Sequence, residues 1–231
     1  MPSMSHARPV EIPAEPYPFD FAPDRCALLI IDMQRDFLEP GGFGEMLGND
    51  VSQLRRTIEP NQALLAAWRG AGLQVIHTRE GHRPDLADLP ENKRWRSRKF
   101  STIAGIGDAG PCGRVLVRGE PGWDIIPELY PLPGETIIDK PGKGSFCATD
   151  LDLILRQQRI QNIVLTGITT DVCVHTTMRE ANDRGYECVL LEDCCAATDR
   201  GNHDAAVKMV KMQNGVFGAV SNSVDFIKAI A

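Results

Sequence analysis

Short apolar runs alternate along the chain with segments whose apolar residues recur at helical spacing. A short apolar run between turn residues is typical of a buried strand, and a 3.6-residue period is typical of a helix that packs on one face. The pattern predicts strands at residues 26–32, 73–78, 136–139, 161–167, 187–192 and 216–220, and helices at about 51–70, 148–157, 171–184, 202–212 and 222–230. This alternation predicts an α/β fold, a Rossmann-like three-layer α/β/α sandwich with a mainly parallel six-stranded sheet.

Two segments depart from the alternation. Residues 1–23 contain too many prolines for a helix and predict an extended N-terminal arm, which we expect to lie on a neighbouring subunit. Residues 80–133 are also rich in proline and carry no clear strand pattern. Because long irregular stretches within compact domains are usually functional, we expect this one to form a pocket wall and a subunit contact. Residues 24–231 are predicted to form one domain.

The composition narrows the class of protein. The chain has 231 residues, 42% of them hydrophobic, so it can bury one sizeable core. Its net charge is −6, and the basic segment 93–99 follows several acids, which favours a loop or interface over a nucleic-acid surface. Seven cysteines without secretory spacing predict a reduced, cytoplasmic protein. No apolar run approaches the roughly 18 residues of a membrane helix, so we expect no membrane contact.

Residues 167–174, with the sequence GITTDVCV, place one cysteine where a strand gives way to a helix. Residues 162–166 predict the strand, and Thr170 or Asp171 can cap the helix. Near a helix start, the partial positive charge of free backbone N–H groups favours a thiolate and can stabilise an oxyanion. Free cysteines are more often buried apolar residues than nucleophiles, so Cys173 alone is a weak signal.

Two other predicted strands end in residues that suit a nucleophile. The apolar run 27–31 ends at Asp32, and the run 136–138 is followed by Asp139 and Lys140. Open parallel sheets bind ligands at the carboxyl ends of their strands. If the three strands are neighbours, an acid, a lysine and a thiol meet at one edge of the sheet. A strand-end acid is otherwise a turn former, so this hypothesis depends on Cys173.

At these residues the chain resembles the isochorismatase-like cysteine hydrolases, the superfamily of nicotinamidase and N-carbamoylsarcosine amidase, over roughly residues 24–222. Asp32 matches the first acid of a D-x-Q-x-D-F motif, Lys140 follows the third strand, and Cys173 lies in a G-x-x-T-x-x-C-V element. Longer stretches resemble the biuret hydrolases, with the triuret hydrolases as near neighbours: HTREGHRPD at 77–85, GEPGWD at 119–124, KPGKGSFC at 140–147 and KMQ at 211–213.

The resemblance implies a catalytic triad of Asp32, Lys140 and Cys173. Cys173 would form a thioester with the substrate, Asp32 would carry its proton to the leaving nitrogen, and Lys140 would favour the anionic forms of both. The backbone N–H groups of Thr169 and Cys173 are expected to bind the oxyanion. In the family a cis peptide precedes the residue that matches Thr169. The reaction expected is hydrolysis of biuret to allophanate and ammonia.

Gln213 and Phe37 are the predicted substrate-binding residues. The Gln213 amide can both donate and accept hydrogen bonds, which suits a substrate made of C=O and NH2 groups. Phe37 is expected to form an apolar lid over the reacting carbonyl. Arg79 and Glu80 are weaker candidates.

A metal site is not expected. His77 and His82 flank Glu80 at a spacing that could mimic metal ligands, but a strand-embedded His77 is expected to face away. The Asp-x-His ligand motif of nicotinamidase relatives is missing, and a ureido substrate has no pyridine nitrogen to hold. The resemblance therefore implies a metal-free and cofactor-free amidase.

Other functions stay open. The same triad could act on triuret, ureidoacrylate or N-carbamoyl amino acids. The chain could instead be a non-catalytic binding module on the same fold, although intact Asp32, Lys140 and Cys173 argue against that class. A small ureido molecule is the expected partner, and a homo-oligomer, most simply a tetramer as in relatives, is the expected assembly.

Overall fold

The computed structural model of the protein describes residues 9–99 and 104–231. Its strands within these ranges are β1 (Val10–Ile12), β2 (Phe19–Phe21), β3 (Cys26–Ile31), β4 (Gln74–Glu80), β5 (Ala109–Gly110), β6 (Gly113–Arg114), β7 (Thr136–Lys140), β8 (Asn162–Ile168), β9 (Glu187–Ala196) and β10 (Ala219–Ser221). Its helices are α1 (Arg35–Leu38), α2 (Phe43–Met46), α3 (Val51–Arg55), α4 (Ile58–Gly70), α5 (Glu91–Lys99), α6 (Leu151–Gln157), α7 (His175–Asp183), α8 (Arg200–Gly215) and α9 (Ser223–Ile230).

Six strands form one parallel sheet in the order β10-β9-β8-β3-β4-β7. The predicted three-layer α/β/α fold with a six-stranded sheet is therefore confirmed. The strands of the candidate triad are β3, β7 and β8. The sequence-based condition that all three are neighbours is not met. β8 pairs directly with β3, but β4 lies between β3 and β7. A side chain from β7 must therefore reach across β4 to meet Asp32.

Alternate residues of the central strands face opposite layers. In β3, Leu28 and Ile30 pack in one apolar cluster, whereas Leu29 and Ile31 pack in another. The first cluster includes side chains of α4 and α9, and the second includes side chains of α6, α7 and α8. Burial on both faces explains why β3 is a continuous apolar run in the sequence rather than an alternating one.

The N-terminal segment differs from the predicted arm. In the part that the structure describes, β1 and β2 form an antiparallel hairpin, and Phe21 stacks on Phe226 of α9 at 5.2 Å between ring centroids. Glu15 also forms a backbone bridge to Val220. Residues 9–23 therefore pack on the core of their own chain. Their prolines lie outside the two short strands, so they do not interrupt the hairpin. Residues 1–8 lie outside the described residues, and the tetramer stays a prediction.

The irregular stretch between β4 and β7 contains more structure than its sequence indicates. Helix α5 has no buried residue, so it lacks the apolar periodicity by which helices are recognised. Elsewhere, the helix predicted at 51–70 is two helices, α3 and α4, and the strand predicted at 216–220 is observed at Ala219–Ser221. Among the described helices, none is both long and apolar enough to cross a bilayer.

Replacing Phe226 with alanine should lower the free energy of unfolding by about 3–5 kcal/mol. The ring is fully buried between Phe21 and Trp68, so its loss leaves a cavity beneath the N-terminal hairpin. Urea unfolding followed by circular dichroism measures the change. Val224→Ala, at a 53% exposed position of the same helix, is the control and should cost less than about 1 kcal/mol. Equal stability of the two variants would contradict this packing.

Candidate active site

Asp32 lies directly after β3 with its carboxylate buried. Its φ of 51° is in the left-handed region, which aspartate tolerates better than most residues and which turns the chain sharply at the strand end. The Thr78 hydroxyl of β4 donates to Asp32 Oδ1 at 2.7 Å. The Asp32 backbone N–H donates to the Thr78 carbonyl oxygen at 3.2 Å. The carboxylate is thus held over the end of β4.

Lys140 ends β7 and reaches across β4 to Asp32. Its Nζ lies 2.7 Å from Asp32 Oδ2, and both side chains are fully buried. The same ammonium donates to the carbonyl oxygens of Gly142 at 3.0 Å and Lys143 at 2.9 Å, so two loop carbonyls share its hydrogen bonds while it faces Asp32 as an ion pair. Burial by itself would lower the pKa of Lys140, but Asp32, Cys173 and Glu80 raise it above its ordinary value. Lys140 therefore stays charged and acts as a fixed cation.

The loop after Lys140 is fastened to α7, the helix that follows Cys173. The Ser145 N–H donates to Thr177 Oγ1 at 3.1 Å, and the Thr177 hydroxyl donates to the Cys173 carbonyl oxygen at 2.7 Å. The Phe146 N–H donates to Glu180 Oε2 at 3.2 Å. Thr177 thus links the loop after Lys140 to the turn that contains Cys173.

Cys173 lies in a π-helical turn, Thr170–Val174, between β8 and α7. Such turns are rare and occur frequently at functional sites. Gly167 precedes it with a φ of 106°, and a Cβ there would collide with the backbone of Ile31. Only glycine therefore allows β8 to approach the end of β3, beside Asp32, so closely. This is the physical reason for the glycine that begins the GITTDVCV segment.

The backbone around Cys173 includes a cis peptide bond, and the expected oxyanion role of the Thr169 and Cys173 N–H groups stays a prediction. The Ile168–Thr169 peptide bond is cis, as in the family that the sequence resembles. The N–H groups of Val172 and Val174 both donate to the Thr169 carbonyl oxygen, at 3.2 and 3.1 Å. The Cys173 N–H lies between them and does not share that acceptor.

The resting state of the Cys173 thiol differs from the sequence-based expectation. The side chain is buried, and burial raises the pKa of Cys173 above its ordinary value even though Lys140 opposes the rise. The carboxylates of Asp32 and Glu80 raise it further. The sequence predicts a favoured thiolate from the helix start and from Lys140, but the structure also buries the sulfur and places two carboxylates near it. The resting thiol is therefore neutral, and its proton must leave during attack.

Glu80 is a second buried carboxylate in the site. It ends β4, on the same face as Thr78, and Cys173 Sγ lies 3.7 Å from its Oε2. Lys143 Nζ donates to Oε1 at 2.9 Å and Oε2 at 3.1 Å, and Lys93 Nζ lies 2.7 Å from Oε1. From the sequence, Glu80 is only a weak candidate for the site. Lys93 belongs to the basic segment 93–99, which is expected to form a loop or an interface, and Lys143 is assigned no role. The one sequence signal is that side chains two apart in a strand face the same side, which places Glu80 on the same face of β4 as Thr78.

The charges of this cluster leave a positive surplus. Burial would raise the pKa of Glu80, but Lys143, Lys140 and Lys93 outweigh burial and hold it far below its ordinary value. Three lysines therefore face two carboxylates, those of Asp32 and Glu80, and although burial lowers the pKa of Lys93, its ion pair with Glu80 at 2.7 Å opposes that shift. The surplus favours a thiolate or an oxyanion at the moment that either forms.

Asp32, Glu80 and Cys173 also present oxygen and sulfur atoms within 4.8 Å of one another, a spacing that could hold a metal ion. The oxygens face three ammonium groups, however, which would repel a divalent cation. The donor set therefore fits a metal poorly, and the metal-free site stays a prediction. His77 lies on the opposite side of β4 and contacts Glu135 at 3.1 Å, and His82 contacts Asp88 at 3.3 Å. These two histidines do not converge.

The backbone of Glu80 is clamped by one side chain of the first motif. The Gln34 amide donates to the Glu80 carbonyl oxygen at 2.9 Å and accepts from the Glu80 N–H at 2.7 Å. Next to it, Trp123 packs so closely on Gly81 that a Cβ there would collide with the indole. The Arg79 guanidinium lies 3.7 Å from the centre of the Trp123 ring. The end of β4 is thus held rigidly.

The two predicted substrate-binding residues, Phe37 and Gln213, lie in different surroundings. Phe37 of α1 is partly buried and packs against two apolar clusters. Gln213 is exposed where α8 kinks, with a φ of 53°, and it is followed by Asn214 with a φ of 61°. No contact places either residue against the triad among the described residues, so their roles stay predictions.

Comparison with known proteins shows the family and the fold of the chain. Residues 26–223 match the isochorismatase domain family model. Ureidoacrylate amidohydrolase RutB of Azorhizobium caulinodans is 32% identical over 95% of this chain and 96% of its own length. Among solved structures, a cysteine hydrolase from Pseudomonas syringae pv. phaseolicola has a TM-score of 0.77 at 25% identity, covering 99% of this chain and 98% of its own. N-carbamoylsarcosine amidase from Thermoplasma acidophilum has a TM-score of 0.64 at 25% identity, covering 86% and 96%.

Lys140→Met should lower the free energy of unfolding by about 3–5 kcal/mol, because it leaves the Asp32 carboxylate buried without its cation. Adding Asp32→Asn should recover part of that loss, since the uncompensated charge is then removed. A double-mutant cycle by urea unfolding measures the coupling. Arg83→Met, which breaks an exposed ion pair with Asp85, is the control and should change stability by less than about 1 kcal/mol. Strict additivity in the cycle would contradict a tightly coupled pair.

Proposed function

Because the chain belongs to the isochorismatase domain family, we propose that it is a cysteine-dependent amidohydrolase that cleaves a C–N bond of a small ureido compound. The observation that carries the proposal is the convergence of a buried acid, a buried lysine and a buried thiol at the carboxyl edge of one parallel sheet. We take biuret as the substrate, and allophanate and ammonia as the products.

In the first step the thiol proton passes to Asp32 as Cys173 Sγ attacks the carbonyl carbon. The thiol lies 3.7 Å from Glu80 Oε2, but Asp32 has one ammonium partner whereas Glu80 has two, so Asp32 is proposed as the proton acceptor. The carbonyl oxygen becomes an oxyanion, and the N–H groups of Thr169 and Cys173 are proposed to bind it. Lys140 stabilises the transferred charge without itself giving up a proton.

In the second step the tetrahedral intermediate collapses. Asp32 returns the proton to the leaving nitrogen, the C–N bond breaks, and ammonia departs. The acyl group stays on sulfur as a thioester. Water then attacks that thioester while Asp32 takes a proton from it, and the breaking C–S bond returns its electron pair to Cys173, which recovers its proton from Asp32.

A second candidate substrate is ureidoacrylate or an N-carbamoyl amino acid. The relatives named ureidoacrylate amidohydrolase RutB and the solved N-carbamoylsarcosine amidase favour it. Such substrates carry a carboxylate, which the surplus positive charge of the Lys93, Lys140 and Lys143 cluster would attract. Both candidates share the urea-type carbonyl, so the same steps apply to each. The leaving nitrogen is an NH2 group in biuret and the nitrogen that bears the acrylate or amino-acid group in the second candidate.

Cys173→Ala should lower kcat by at least about 1000-fold while the circular dichroism spectrum stays unchanged, because only the nucleophile is lost. Asp32→Asn should be nearly as severe. Cys147→Ala removes an exposed thiol elsewhere and is the matched control, which should keep its activity. Ammonia release from biuret and ureidoacrylate is the readout. Retained turnover in Cys173→Ala would end the triad hypothesis.

The substrate class follows from kcat/KM across biuret, triuret, ureidoacrylate, N-carbamoylsarcosine and nicotinamide, and the ureido compounds should exceed nicotinamide. If Gln213 binds the far ureido group, Gln213→Leu should lower kcat/KM for biuret by about 10-fold, which corresponds to a lost hydrogen bond of about 1.5 kcal/mol. Gln157→Leu, an exposed glutamine at the end of α6, is its control. A preference for nicotinamide would refute the ureido assignment, and an unchanged Gln213→Leu profile would refute that residue's role.

A further inference from the structure

We propose that Glu80 is a specificity-determining residue that accepts a hydrogen bond from the nitrogen that stays on the attacked carbonyl carbon. This inference rests on the proposed function, because a urea-type carbonyl carries two nitrogens and a carboxamide carries one. Asp32 gives a proton to the nitrogen that leaves, and Glu80 accepts a hydrogen bond from the nitrogen that remains. The site thus selects ureas over carboxamides before any contact with the rest of the substrate.

The position of Glu80 relative to the nucleophile supports this role. Its Oε2 lies 3.7 Å from Cys173 Sγ, the atom that bonds to the carbonyl carbon. Both substituents of that carbon are one bond away from it. A nitrogen there can lie at roughly 2.9 Å from Oε2, the ordinary length of an N–H···O hydrogen bond. The carboxylate is therefore within reach of the reacting centre itself.

The hydrogen bonds of Glu80 leave one acceptor position free during the reaction. Oε1 receives both Lys93 and Lys143, whereas Oε2 receives Lys143 and the Cys173 thiol. When the thiol proton moves to Asp32, the Oε2 lone pair that faced sulfur loses its donor. An N–H of the bound substrate can replace that donor at the same moment.

The charge of Glu80 determines what it accepts. The ammonium groups around it hold it in the ionised form, in which a carboxylate accepts hydrogen bonds and cannot donate them. A substrate N–H satisfies it, but a C–H at the same position leaves the lone pair of Oε2 that faced sulfur without a donor, although Lys143 still donates to that oxygen. Sites of this kind reject an analogue that lacks the matching polar group more strongly than they reject one of the wrong size.

The test compares biuret with malonamide, in which CH2 replaces the central NH, for the wild type and Glu80→Gln. In the variant the two lysines should hold the amide oxygen, so an NH2 group faces the substrate N–H and repels it. The ratio of kcat/KM for biuret to that for malonamide should fall by about 10- to 100-fold, the effect of one hydrogen bond to a charged group. If ureidoacrylate is the better substrate, 3-acetamidoacrylate, with methyl in place of the terminal NH2, replaces malonamide.

Lys143→Gln is the matched variant, because it changes the charge of the cluster but keeps the Glu80 acceptor. It should lower kcat/KM for both compounds alike and leave their ratio within about 3-fold of wild type. An unchanged ratio in Glu80→Gln would overturn the role of Glu80 while leaving the hydrolase intact. Wild-type protein that hydrolyses no ureido compound would overturn the proposed function, and the inference with it.

A binding measurement covers the case in which Glu80→Gln does not fold. Calorimetric titration of Cys173→Ala, with Glu80 intact, should give a dissociation constant for biuret at least about 10-fold lower than that for malonamide. Equal dissociation constants would overturn the proposal without any change at Glu80.

Discussion

The buried ion pair between Lys140 and Asp32 is the interaction on which the rest of the site depends. Removing both charges from water costs several kcal/mol for each ion, and only good geometry with additional hydrogen bonds offsets that cost. Two loop carbonyl oxygens accept hydrogen bonds from Lys140, and the Thr78 hydroxyl donates one to Asp32. The pair therefore fixes the loop after β7, the end of β3 and the end of β4 relative to one another.

The place of β4 in the sheet explains why a fourth group belongs to the site. Since β4 lies between β3 and β7, the Lys140 side chain must pass over its carboxyl end, where Thr78 and Glu80 face the same layer. Glu80 is the register partner of Lys140 in the adjacent strands. A buried carboxylate at that point needs cations of its own, and Lys93 and Lys143 supply them. The irregular stretch after β4 contributes the first of these lysines through α5.

The sequence predicts the parts of the site that follow from local pattern. Asp32, Lys140 and Cys173 each end or follow an apolar strand, and parallel strands gather their ends at one edge. Strand order has no local signal, so the sequence does not show that β4 lies between β3 and β7. The lysine partners of Glu80 come from a polar helix and a loop, which lack apolar periodicity. The same limit hides the hairpin of residues 10–21, because its two strands are only three residues each.

A neutral resting thiol is consistent with this arrangement. Burial raises the pKa of Cys173, so a permanent thiolate would be costly in the closed site. The three surrounding lysines outnumber the two carboxylates, so negative charge that appears on sulfur or on the carbonyl oxygen forms in a positive environment. The Cys173 thiol therefore loses its proton most favourably as it attacks a bound carbonyl, because the carbonyl oxygen then takes up the negative charge. The electrostatics of the site stabilise the reacting state more than the resting one, which is the condition for catalysis.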